Sequence, residues 1–151
     1  NPDGFTVDPE TGEQPTKGFV VAPVKSAEIK IKAKELTPSN VREFAKNIRT
    51  LSDISNKKVY AGGWFNSEDE HYYLDAVEVV DHLADALYTA EASKQEAIFN
   101  IGEGNEIKTK EGVKGLKKRG VYRSEAAHDR RRDLSELAEK FEEARDKGKS
   151  G

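Results

Sequence analysis

The stretch from 57 to 101 constrains this chain most, because its hydrophobic rhythm changes period twice. It reads KKVYAGGWF-NSEDE-HYYLDAVEVV-DHLADALYTAEAS-KQEAIFNI. Two runs rich in aromatic and β-branched residues flank a short acidic loop, the pattern of a β-hairpin. The second run places Tyr72, Leu74, Ala76 and Val80 on one face and Tyr73, Asp75, Val77 and Val79 on the other. A strand apolar on parts of both faces belongs in the middle of a sheet. Helical spacing follows, with Val80, Leu83, Ala84, Leu87 and Ala90 on one stripe and Asp81 as the expected N-cap. The run 97–101 returns as a strand, Gly102 and Gly104 turn the chain, and a brief pairing of Glu106, Ile107 and Lys108 is expected. The stretch also contains the only Trp, the only Gly-Gly pair and two of the three His.

Before this unit, 18–22 reads as a short strand stopped by Pro23. The run 28–32 alternates strictly and predicts a half-solvated strand with Ile29 and Ile31 inward. Thr37-Pro38 then opens a helix. Thr37 is suited to cap free amides, and Pro38 falls where its missing N–H costs nothing. Val41, Phe44, Ala45, Ile48 and Leu51 form its apolar stripe, and its end is expected near Asp53. Gly62-Gly63 predicts a bulge or a close approach of backbone.

The ends read differently. Residues 18–107 hold 24 of the 32 Leu, Ile, Val and Phe. Residues 1–17 form an expected extended arm with a turn at 8–12. Gly112, Gly115 and Gly120 argue against a regular element beyond 110. A helix is expected from Ser124, with Leu134, Leu137, Ala138 and Phe141 as a narrow stripe over 133–147. Such a stripe must dock to be stable, because isolated helices of that length are marginal in water. The start at Asn1 reads as that of an excised or processed piece, with neighbouring domains missing.

Charge separates the same regions. The net charge of −3 combines an acidic body over 1–105 with a basic segment over 108–132. That segment carries Lys114, Lys117, Lys118, Arg119, Arg123, Arg130, Arg131 and Arg132, the candidate contacts to nucleic acid phosphates. Its other reading is a solvated, flexible linker. With no Cys there is neither a disulfide framework nor a thiolate metal site. No apolar run approaches the roughly 20 residues that span a bilayer, so no membrane partner is expected.

No metal, cofactor or catalytic set is read. Gly62-Gly63 lacks the spacing of a phosphate loop. Glu68, Asp69, Glu70, His71 and Asp75 suggest a metal or general-base site, but the first three are neighbours on a loop. Asp75 follows His71 by four strand positions, roughly 13 Å. Ser124, His128 and Asp129 lack the buried acid and structured elbow of a hydrolase. Trp64, Tyr72 and Tyr73 are the candidate partner-binding residues, because they are aromatic rings paired across the expected hairpin.

The phrases DPETGEQPTKGFVVA, YAGGWFNSEDEHYYLD and AEASKQEAIFNI, within residues 9–107, resemble a small domain of phage and prophage proteins. That group includes minor-head-type proteins and multidomain proteins of mobile elements. The resemblance implies a setting, in the bacterial cytoplasm or on a virion, and no activity.

The expected fold is therefore α+β. A mostly antiparallel sheet of four or five strands carries two helices on one face, with a third, C-terminal helix loosely attached. The domain proper spans 18–107. The first functional expectation is a non-enzymatic accessory or interaction domain with other phage or mobile-element proteins as partners. The alternatives are a nucleic-acid-binding protein led by the basic segment, and a toxin or nuclease-like enzyme near Glu70, His71 and Asp75.

Overall fold

Seven strands, four α-helices and two short 3-10 turns lie within residues 4–150, the part of the chain that the computed structural model describes. The strands are β1 (Gly4–Val7), β2 (Phe19–Val21), β3 (Ile29–Lys32), β4 (Tyr60–Asn66), β5 (His71–Val80), β6 (Ala97–Asn100) and β7 (Asn105–Lys108). The helices are α1 (Pro38–Ser55), α2 (Leu83–Ala92), α3 (Thr109–Lys118) and α4 (Ser124–Ser150). All strand pairings are antiparallel, as expected, in the order β1-β4-β5-β2-β6-β7 with β3 also on β5.

The two-faced strand β5 is central. Its first seven residues pair with β4, His71 to Leu74 also pair with β3, and its last three pair with β2. The register is unbroken from Tyr60↔Val77 to Asn66↔His71, so Gly62-Gly63 makes no bulge. The glycines serve side-chain approach instead. A Cβ at Gly63 would lie 2.7 Å from the Phe5 ring, and one at Gly62 would lie 3.0 Å from Val77 Cγ1.

One face of the sheet carries every helix. Ile31, Ala61, Leu74 and Ala76 pack with Phe44, Ile48 and Leu51 of α1 and Phe141 of α4. Val21 and Ile98 pack with Ala86, Leu87 and Ala90 of α2, Val113 and Leu116 of α3 and Ala127 of α4. Helix α4 thus spans both clusters. Ala127 and Phe141 are 14 residues apart, about 21 Å along its axis.

The expected helix start is present. Thr37 Oγ1 accepts from the Asn40 amide at 3.2 Å, and Pro38 is the first helical residue. The turn at 8–12 also forms, closed by the Gly12 amide donating to the Asp8 carbonyl at 2.8 Å.

Several expectations change. There are seven strands, not four or five: 4–7 of the expected arm add to the sheet edge beside β4, and the brief pairing expected at 106–108 is a full strand on β6. Residues 109–118 are helical despite Gly112 and Gly115. Val113 and Leu116 bury on α2, and a missing side chain at Gly112 admits Leu87, where a Cβ would lie 2.6 Å from its Cδ2. The C-terminal helix is long and firmly docked, with Phe141 fully buried. Val41 falls off the buried stripe of α1 and is 48% exposed. Helix α1 runs on to Ser55 and stops at left-handed Asn56. The N-cap of α2 is His82, without a side-chain bond, rather than Asp81.

Candidate functional site

The opposite face of the sheet has no helix, and its side chains follow from register. One row runs Lys30–Tyr73–Trp64–Gly4 across β3, β5, β4 and β1. A second runs Asp75–Gly62–Thr6, and a third runs Val79–Val20–Phe99–Glu106 toward the other edge. Strands β1 and β7 end the strand order, yet Thr6 and Glu106 line one cavity of about 480 Å³. The sheet therefore curls about this face. Val20, Gly62, Trp64, Asp75, Val77 and Phe99 form the cavity wall. Gln14 and Pro15, on the link from β1 to β2, also line it, and Val77 is only 4% exposed without any helix over it.

The aromatic part is ordered by stacking. Trp64 and Tyr73 have ring centroids 4.8 Å apart and planes 13° apart. Lys30 Nζ lies 5.3 Å from the Tyr73 centroid, from the neighbouring strand on the other side. The Tyr73 hydroxyl donates to Asp69 Oδ2 at 2.5 Å. That bond is the main cause holding the Asp69 carboxyl below its usual range, and the same hydroxyl raises the Lys30 ammonium. Tyr72 points to the helical face and meets Phe65 at 5.0 Å. The three expected rings therefore do not share a surface: Trp64 and Tyr73 do, and Tyr72 belongs to the core side.

At the middle of the face, Asp75 is largely buried. Burial, then a hydrogen bond with the Glu28 carboxyl, then Glu28's charge push its pKa up to about 7. His71 is elsewhere, at the hairpin tip. Its amide is bonded to Asp69 Oδ1, and its Nδ1 lies 2.6 Å from the Asp69 carbonyl. Glu70 is exposed there, so Glu70, His71 and Asp75 do not converge.

The basic residues are distributed over α3, the 119–123 link and the start of α4. Lys114, Lys117, Lys118, Arg119 and Arg123 are exposed, with Lys117 Nζ 4.9 Å from the Tyr122 centroid. Arg130 turns inward, its Nη1 donating to Thr89 Oγ1 at 2.6 Å. Arg131 lies against the Tyr122 hydroxyl, and Arg132 approaches Asp129 and Asp133 at 3.6 and 3.8 Å. The eight cations thus split between an open surface and internal ties.

Sequence reasoning did not find the cavity or the Asp75–Glu28 pair. The one available signal was an acid, Asp75, at the middle of a strand rich in aromatic and aliphatic residues. No helix among the described residues is long and apolar enough to cross a membrane. No family model, curated protein or solved structure matches this chain.

Proposed function

We propose that this chain is a non-enzymatic binding module that receives a protein segment on its helix-free sheet face. The observation that carries this reading is the aromatic-walled cavity between Trp64 and Phe99. Its volume lies in the range of ligand pockets, and its wall mixes apolar side chains with polar groups such as Thr6, Gln14 and Asp75. Sites of this kind anchor a partner through one or two buried side chains. The resemblance of residues 9–107 adds the setting: a phage or mobile-element protein, in the host cytoplasm or on the virion. The distance of His71 from Asp75 weighs against a nuclease-like centre.

The test is selection of displayed random peptides on the folded chain. Enriched peptides should lose binding with Trp64→Ala and with Phe99→Ala, and keep it with Lys114→Ala. Failure to enrich over an unrelated domain, or indifference to both substitutions, removes the reading.

A second reading, nucleic-acid binding, rests on a separate observation. Lys114, Lys117, Lys118, Arg119 and Arg123 are exposed within ten residues of chain and form no ion pair among the described residues. Charge-neutralising Lys114→Gln, Lys117→Gln and Lys118→Gln together should reduce the salt slope of single-strand binding by about 0.7 for each phosphate no longer neutralised. An unchanged slope, or no binding at low salt, excludes it. Deleting 108–151 is not a usable test, because Val113, Leu116, Ala127 and Phe141 belong to the cores.

A further inference from the structure

We propose that the cavity on the helix-free face seats the guanidinium of an arginine on the incoming segment, its charge against Asp75 and Glu106 and its plane against Trp64. This deepens the binding-module reading and rests on it.

Four observations converge. Among the described residues, the ionisable groups lining the cavity are Asp75 and Glu106, the latter also paired with Lys108 at 2.8 Å, and no described Lys, Arg or His lines it. A phosphate or carboxylate ligand would meet like charge there, whereas a cation would be attracted. One face of the Trp64 indole is covered by Tyr73, while its register partner on the other side is Gly4, which has no side chain. A planar guanidinium stacks flat on such a face, whereas an ammonium makes only a point cation–π contact there. The chain uses related chemistry in the same row, where Lys30 lies over Tyr73. Gly62, the register partner of Asp75, leaves that carboxyl unscreened from β4.

The desolvation of Asp75 also has a cost that an arginine relieves. Burial and Glu28 hold Asp75 in its acid form up to near neutrality. An arriving guanidinium favours the carboxylate, so binding releases a proton and strengthens as pH rises through the Asp75 titration.

Trp64 is the only tryptophan, so its emission reports this site alone. The probes are Nα-acetyl-arginine amide and its neutral isostere Nα-acetyl-citrulline amide. Arginine should change the emission saturably, with citrulline weaker by roughly tenfold or more. The arginine response should be weaker at about pH 5 than at about pH 8. Asp75→Asn, checked for folding by its melting temperature, should erase the preference, and Glu106→Gln should reduce it. Equal affinity for both probes, no response to either, or a preference that survives both substitutions overturns the proposal. If displayed peptides still depend on Trp64 and Phe99 in that case, the binding module stands and only the arginine assignment falls. If they do not, both fall.

Discussion

Trp64 and Tyr73 stack face to face across β4 and β5, 4.8 Å between centroids and 13° between planes, on the side of the sheet that no helix covers. Trp64 remains 39% exposed in spite of this contact. The stack contributes to stability and leaves an indole face for a partner. Tyr73→Ala should therefore destabilise by about 0.5–1.5 kcal/mol beyond the effect of the buried area it removes, read as a lower urea midpoint. Tyr73→Phe should keep the stack while releasing Asp69.

Asp75 makes stability fall with rising pH. Its folded pKa of about 7 lies above the ordinary value of 3.8, so folding takes up a proton. That contribution is fully present below about pH 4 and lost as pH rises through about 7. Asp75→Asn keeps a donor for Glu28 and removes the titration. Calorimetry should find the variant more stable than the parent at about pH 8, by a few kcal/mol at most, with little difference at about pH 4. A parallel pH profile for the two proteins would contradict this.

Asp8 has the opposite sign. Lys58 Nζ lies 2.9 Å from its carboxylate, and that bond, with the Glu10 amide, lowers its pKa from 3.8 to about 2. The stability it supplies is present above about pH 4 and lost as pH falls through about 2. Lys58→Met should make the acid limb of the urea midpoint shallower between these values, without flattening it, because the Glu10 bond remains.

The glycines of α3 separate helix propensity from packing. Nothing lies within 4 Å of a Cβ at Gly115. Gly115→Ala should stabilise by up to about 1 kcal/mol. A Cβ at Gly112 would lie 2.6 Å from Leu87 Cδ2. Gly112→Ala should then destabilise by about 1–3 kcal/mol, overpacking outweighing propensity. Thermal melts of the two variants should move in opposite directions.

Phe141 and Val41 lie on two expected apolar stripes, yet one is fully buried and the other 48% exposed. Phe141→Ala should cost about 3–5 kcal/mol in denaturant unfolding. Val41→Ala should stay within about 0.5 kcal/mol. Equal costs would mean that α4 docks differently.

The sequence by itself determined what depends on neighbours a few positions apart. The alternation of 28–32 set β3, Thr37-Pro38 set the start of α1, and the acidic loop at 66–70 set the hairpin. The mixed pattern of 71–80 placed β5 at the centre. These follow from backbone geometry and side-chain period, which act locally. Tertiary structure alone decided the rest. It drew 4–7 into the sheet, made a helix of 109–118 in spite of its glycines, and docked α4 across both cores. It also brought Glu28 to Asp75 and curled β1 toward β7 so that Trp64, Phe99 and Asp75 share a cavity. The physical reason is that register and burial are long-range. A glycine is neutral until Leu87 fills its place, and an acid is ordinary until a curled sheet takes it out of water.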